Sequence, residues 1–368
     1  MTISNETGGR LRRLQEQMMA SKVDLVAIAP TANMRYLLGF IPLALERLCV
    51  LLISREATRL IAGELNAAEL EARTGIEAIP WTDTEGPYPT MVKELKTLGI
   101  PQGCVFVADD TMRADWLLLL QEVISPGKTL AASPLVGALR MCKTETEIET
   151  IARSAAQADR ALKVGVEACC PGVTEREVAN KIATYFLQDG AEAVDFTIVA
   201  SGPNGAFPHH QSGERRLQMG DTIVIDIGAT LNGYKSDVTR MVHLGEPSVE
   251  MRTVYQAVLE ANQCAHQATI AGVQARTVDL AARDSLEQAG YASYFIHRTG
   301  HGLGLETHEP PWITAESDTL LKPGMVFSIE PGVYLPGKFG IRIEDIVVVT
   351  EGECRCLTGL DHELIVTT

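Results

Sequence analysis

The sequence predicts two domains of different class, an α/β layer over residues 1–143 and an α+β unit with a mostly antiparallel sheet over residues 144–368. Three observations carry this reading. The chain has 368 residues and a mass of 39.9 kDa, beyond the ~100–200 residues that one hydrophobic core usually supports. Strand and helix patterns alternate singly through the first part, the order of a mostly parallel layer. After a change of texture at residues 133–147, strand pairs joined by tight turns stand between pairs of long helices.

Taken in order, Leu11 to Met19 is amphipathic and Asp24-Leu-Val-Ala-Ile-Ala29 is a buried strand. Residues 48–53 give another strand, 64–71 a helix, 76–79 and 105–107 short strands, and 91–98 and 112–123 further helices. This part offers no convergent catalytic residues. Ser133-Pro134 reads as a turn. Beyond it, Thr144 with Glu147 forms a capping box for a helix that runs towards Cys169 and stops before Pro171-Gly172. Thr174 with Glu177 repeats that signature for a helix to about Leu187. Strand signals follow at 195–200, 222–229, 234–243, 325–330 and 341–349, with long helices near 249–270 and 276–288. Two helices followed by strands thus occur twice, over 144–243 and 249–349, as an old duplication would leave them.

Composition excludes several classes. Hydrophobic residues make up 46% and charged residues 21%, a globular balance rather than that of a disordered chain. No apolar run approaches the ~18 residues of a membrane span, and the N-terminal stretch has no signal-peptide core, so the expected location is the cytoplasm. Eight cysteines without a CxxC pair agree with a reducing compartment, and the sequon Asn5-Glu6-Thr7 reads as chance. The net charge of −15 is unevenly spread. Residues 1–143 hold 15 basic against 16 acidic side chains, whereas residues 144–368 hold 17 against 31. Such an acidic half would repel a phosphate backbone, so nucleic acid is not an expected partner.

Two predicted hairpins concentrate the chemistry. In Thr222-Ile-Val-Ile-Asp226-Ile-Gly-Ala-Thr-Leu-Asn232-Gly233-Tyr-Lys-Ser-Asp237-Val-Thr-Arg240, an Asn-Gly pair marks a two-residue turn. Leu231 then faces Tyr234, Gly228 faces Asp237 and Asp226 faces Thr239. Asp226 and Asp237 share one face at a diagonal of at most ~7–8 Å, close enough to clasp one ion. Two solvated acids would be the plain alternative. Asp226, however, sits inside the apolar run Ile223 to Ile227, where an unpaired carboxylate is costly to bury.

The second hairpin runs from Val326 to Val349 about Pro336-Gly337-Lys338. That loop pairs Leu335 with Phe339 and hence Glu330 directly with Glu344, two like charges that repel unless neutralised. Asp345 points to the other face by alternation. Histidines complete the set. Glycines on both sides of His301 let its backbone come close to whatever the imidazole contacts, and Pro208-His209-His210 forms another candidate loop. Four carboxylates and one imidazole suit manganese, cobalt or zinc in a pair. Two such ions ~3.5–4 Å apart can share and activate one hydroxide, which gives a dinuclear metallohydrolase.

Other motifs fail. Gly300-His-Gly-Leu-Gly304 lacks the dinucleotide spacing, Gly127-Lys128-Thr129 has Glu122 where a phosphate loop needs glycine, and neither His308-Glu309 nor His362-Glu363 continues as a zincin motif. No GxSxG elbow occurs.

The motifs Asp226-Ile-Gly…Gly233-Tyr-Lys-Ser-Asp237-Val-Thr-Arg240, Gly300-His301-Gly-Leu-Gly-Leu-Glu-Thr-His308-Glu, Ser328-Ile-Glu330-Pro-Gly332 and Gly340-Ile-Arg-Ile-Glu344-Asp carry a resemblance. In order, spacing and identity the chain resembles the Xaa-Pro peptidases, prolidase and aminopeptidase P, of the pita-bread metallopeptidase superfamily. That superfamily includes methionine aminopeptidases and creatinase. Asn33-Met-Arg-Tyr-Leu-Leu-Gly39-Phe is similar to the family's N-terminal domain. The resemblance implies a creatinase/prolidase-like domain over 1–143 and a pita-bread catalytic domain with a curved sheet over 144–368. It implies Asp226, Asp237, His301, Glu330 and Glu344 as ligands of two divalent ions, most naturally manganese, with Asp237 and Glu344 bridging. Glu330 is expected to take the proton of the attacking water, and His209 and His308 to bond the scissile carbonyl region. His210 reads as a neighbour only. Arg342 is expected to orient this shell beside the substrate, its alternative being a cross-strand ion pair. Proline-containing dipeptides or short peptides are the implied substrates and a homodimer the implied assembly. Where some prolidases carry an arginine four residues after the second histidine, this chain has Trp312, which leaves longer peptides open as substrates. The rival readings are a same-fold hydrolase or lyase acting on a small non-peptide amide or osmolyte, and a silent binding protein. Five intact ligands oppose the second of these.

Overall fold

The computed structural model describes residues 5–43 and 45–367, so the first four residues of the N-terminal stretch read above lie outside it. The chain divides into two compact units, Met1–Arg140 and Met141–Thr368. The first is built on a six-stranded sheet. Its strands lie in the order Ala78–Trp81, Thr58–Gly63, Val50–Ser54, Leu25–Ile28, Val105–Ala108 and Lys128–Ala131. Three pairings are parallel and two antiparallel, so the sheet is mixed with a parallel majority. Both antiparallel pairings involve Val50–Ser54, which runs against Leu25–Ile28 and against Thr58–Gly63, the turn to the latter closed by the Ser54 N–H donating to the Ala57 carbonyl at 2.8 Å. The rejected Gly127-Lys128-Thr129 motif opens the exposed edge strand. Ala32–Leu38, which carries the Asn33-Met-Arg-Tyr motif, is a helix capped by the Thr31 hydroxyl and closed by Gly39.

The second unit repeats helix pairs and sheets. Glu145–Ala168 and Glu175–Gln188 both start with the predicted capping boxes, at Thr144 and Thr174. Their apolar stripes, including Leu162, Val178 and Ile182, pack with Ile223, Ile225 and Val242 in one core cluster. Val249–Ala268 and Ala275–Gln288 form the other helix pair, whose Val254, Val258 and Val278 share a cluster with Phe327, Ile329 and Val347. One five-stranded sheet orders Ile365–Thr367, Val238–Leu244, Thr222–Leu231 and Ala193–Ser201, with Tyr234–Lys235 on Thr222–Leu231. The other orders Glu309–Ile313, Gly300–Gly302, Val326–Ile329, Asp345–Val348 and Arg355–Cys356; Gly332–Leu335 and Phe339–Arg342 make a separate ribbon. Only Val238–Leu244 with Ile365–Thr367 is parallel among these pairings.

The first hairpin has the predicted register, with Leu231 opposite Tyr234 and Asp226 opposite Thr239. Asn232 and Gly233 supply the left-handed turn at φ 49° and 81°. The second hairpin keeps Leu335 opposite Phe339, but its ladder breaks where Glu330 and Glu344 were expected to pair directly. Pro331 has no N–H to donate, and each acid is tied elsewhere: Glu330 N–H to the Thr299 carbonyl at 2.8 Å and Glu344 N–H to the Thr239 carbonyl at 3.2 Å.

Candidate metal centre

Thr239 joins the two acidic hairpins. It stands opposite Asp226 in one ladder and forms an isolated antiparallel bridge with Glu344 from the other. His301 reaches the same place from the three-residue strand Gly300–Gly302. Glycine is required on both sides: a Cβ on Gly300 would lie 1.8 Å from the Ser328 carbonyl oxygen, and one on Gly302 2.2 Å from that of Pro310. The Ser328 hydroxyl accepts from the His301 N–H and donates to Glu330 Oε1, each at 3.1 Å.

The structure brings the sequence-predicted residues together. Asp226, Asp237, His301, Glu330, Glu344, His209, His308 and Arg342 all line one cavity of about 850 Å³, within the range of small-molecule sites. Donor atoms of Asp237, His301 and Glu344 lie within 4.8 Å of one another. His301 Nε2 is 3.2 Å from Glu330 Oε1 and 3.6 Å from Asp237 Oδ2. His301 Nδ1 lies 3.1 Å from the Gly302 carbonyl, which can only accept, so in the neutral imidazole Nδ1 carries the proton and Nε2 offers its lone pair towards the carboxylates.

Arg342 is engaged on every nitrogen. Nη2 donates to Asp226 Oδ2, Nε to the Thr239 hydroxyl at 3.1 Å, and Nη1 to the Tyr334 hydroxyl at 2.8 Å. Thr239 in turn donates to Glu344 Oε2 at 2.7 Å, and His297 Nε2 meets the Tyr334 hydroxyl at 2.8 Å. Asp226 Oδ1 is left buried without a hydrogen-bond partner.

Electrostatics explain what this arrangement lacks. Burial, then the Glu344 and Asp226 charges, push the Asp237 carboxyl well above its ordinary range. Burial, then Glu330 and Asp226, do the same to Glu344. Asp226 is raised by burial and Glu330, against the pull of Arg342. Glu330 alone goes down, to about 2: burial opposes its ionisation, but a bond and charge from His301 in its protonated form, with the charges of His297 and Arg342, outweigh it. Burial, with His301 and Arg298 nearby, lowers His308 to about 4. Several carboxylates thus share one bonded guanidinium, and one orphaned oxygen and an imidazole lone pair face the same space. That donor set fits divalent cations.

Several contributors lay beyond sequence reasoning. Thr239 and Ser328 were reachable in principle, since the hairpin registers put them beside Asp226 and Glu330. Tyr334 and His297 gave no local signal. Nor did Glu175, whose buried carboxylate accepts from Ser201 N–H at 2.8 Å, Ser201 Oγ at 2.6 Å, Asn204 Nδ2 at 2.9 Å and Gly213 N–H at 3.1 Å, and pairs with His210 Nε2 at 2.8 Å. His210 is therefore a tie for the loop that carries His209 into the cavity wall. Trp312 lies under the Arg298 guanidinium, 4.5 Å from ring centre to Cζ.

An α/β unit followed by an α+β unit with this cluster of hard ligands defines a metal-dependent peptidase of the two-domain, pita-bread kind. The chain belongs to metallopeptidase family M24, whose model matches residues 149–351, while the model of the creatinase/prolidase N-terminal domain matches residues 10–142. It is 41% identical to the probable dipeptidase PepE of Mycobacterium bovis, over 93% of this chain and 91% of that protein. It is 35% identical to the Xaa-Pro dipeptidase of Pyrococcus furiosus, over 97% and 99%. Among solved structures, recombinant prolidase from Thermococcus sibiricus superposes with a TM-score of 0.94 at 40% identity, covering 99% of this chain and all of that one.

Proposed function

We propose that this metallopeptidase hydrolyses the peptide bond before proline in dipeptides or short peptides, with two divalent cations held by Asp226, Asp237, His301, Glu330 and Glu344. The crowding of three buried carboxylates and the half-buried Glu330 around one imidazole and one fully engaged arginine carries the reading. Manganese is the expected metal, and cobalt or zinc would also suit the donors. When bound, the pair would supply Lewis acidity and an activated water nucleophile at neutral pH.

The side chains divide the remaining work. Asp237 and Glu344, whose donor atoms lie within 4.8 Å of each other and of a His301 ring nitrogen, would help to hold both cations. Glu330, ionised beside His301, takes the proton of the attacking water. His308 is neutral at pH 7, so it and His209 hydrogen-bond the scissile carbonyl and the developing oxyanion. Arg342 fixes Asp226, and through Thr239 also Glu344, in place. Phe196, Ile198 and Phe207 give the cavity an apolar wall suited to a proline ring. The activities named for the Pyrococcus and Thermococcus relatives support this choice of bond.

All eight cysteines are free, which supports the cytoplasm as the place of action, and no helix of the described residues is long and apolar enough to cross a membrane. A homodimer, measurable by light scattering, completes the reading. A panel of Xaa-Pro dipeptides, Xaa-Pro-Yaa tripeptides, Xaa-Ala dipeptides and small osmolyte amides tests the activity on manganese-loaded protein. Turnover confined to the proline peptides is expected. Turnover of the osmolyte amides alone would contradict the proposal.

A further inference from the structure

Arg298 stands three residues before His301 and lines the same cavity. Its guanidinium lies over the ring of Trp312, which is the register partner of His301. Stacking engages the face of a guanidinium and leaves its N–H donors free in the plane. Among the described residues, no carboxylate lies within ion-pair distance of those donors and no side chain or carbonyl accepts from them. Arg160, Arg215, Arg240 and Arg283 of the same unit all have carboxylate partners. Arg342, the other arginine of the cavity wall, is used up on Asp226, Thr239 and Tyr334. In a chain of 47 acidic and 32 basic residues, a half-buried arginine held flat on an indole with a free fork is a receptor for an anion from outside.

We propose that Arg298, held on Trp312, receives the free α-carboxylate of an Xaa-Pro dipeptide and makes the site prefer dipeptides to longer peptides. This rests on the reading of the site as an Xaa-Pro peptidase. A carboxylate matches the guanidinium fork with two parallel hydrogen bonds. In a dipeptide that carboxylate lies one residue beyond the scissile bond. In a tripeptide the same carbon is an uncharged amide, which offers one acceptor and no charge. Arg298 therefore discriminates by the charge of the group after proline, whatever residue precedes it.

The experiment compares kcat/KM for an Xaa-Pro dipeptide with that for its C-terminal amide in wild type, Arg298→Gln and Arg298→Lys. Charged hydrogen bonds contribute about 1.5–3 kcal/mol, so wild type should favour the acid at least ~10-fold. Arg298→Gln should collapse that acid-to-amide ratio, chiefly through KM of the acid. Arg298→Lys should retain part of it, having the charge without the fork. A ratio unchanged in Arg298→Gln, or equal losses on acid and amide, would overturn the proposal. Calorimetric binding of N-acetylproline against N-acetylprolinamide reads the same recognition without turnover. A preference for the acid that Arg298→Gln removes supports the receptor even if no peptide is cleaved, which would then count against the Xaa-Pro reading alone. Equal binding of acid and amide by wild type would end it.

Discussion

Asp226 occupies a place that an unassisted carboxylate would not hold. It lies in a strand buried on both faces, and Arg342 satisfies only one of its oxygens. The same strain is greater at Asp237, whose charge is opposed by burial and by Glu344 and Asp226. Removing that charge should therefore relieve repulsion without metal and remove a ligand with it. Asp237→Asn is expected to unfold in chelator at a temperature no lower than wild type. Added manganese should raise the midpoint of wild type, by ligand linkage, and leave the variant nearly unmoved. Peptide hydrolysis should fall at least ~100-fold, beyond the loss typical of a residue that only supports a ligand. Unchanged turnover would remove Asp237 from the site. Both acids were legible in the sequence because an Asp in an apolar run, eleven residues before another across an Asn-Gly turn, is costly to bury unless a cation lies between the two. Thr239 was not legible in the same way, because a hydroxyl in a strand carries no such anomaly.

At the scale of elements, hairpins register where turn chemistry dictates and depart where another strand competes. Asn232-Gly233 fixes the first ladder as expected. The second keeps its offset from Ile329–Asp345 to Gly332–Arg342, yet opens between them because Pro331 cannot bond and Thr239 captures Glu344. That competitor is far away in sequence, so local patterning did not reveal it. The loop carrying His209 depends on a similarly remote contact. Glu175 is held below the ordinary carboxyl range: burial opposes ionisation, but the bonds from Ser201, Asn204 and His210 outweigh it. A depressed folded value means stability that is complete above the unfolded value of about 4.5 and is lost as pH falls through the folded one. Glu175→Gln places an amide N–H₂ among these donors. The variant should melt below wild type at pH 7, with the gap narrowing on acidification below pH ~4.5. Its kcat/KM should fall ~10-fold through misplacement of His209. A melting gap that stays constant from pH 7 to pH 3.5 would show that Glu175 does not anchor the loop by its charge.

Across the whole molecule, the two-domain class and the repeated order of helix pairs and strands were visible in the hydrophobic pattern, because long capped helices and tight turns are local features. The direction of Val50–Ser54 in the sheet of the first unit was not, since whether a strand runs with or against its neighbours is decided by its connections and not by periodicity. The acidic excess of residues 144–368 also acquires a partial explanation, as four of those carboxylates converge in one cavity. Manganese binding stoichiometry, measured on protein stripped with chelator and then titrated, tests that convergence most directly. Two ions per chain are predicted for wild type, with Xaa-Pro hydrolysis absent before titration and restored with it, and no more than one ion for Asp237→Asn. Full hydrolysis by the stripped protein, or a wild type that takes up no manganese, would contradict the account.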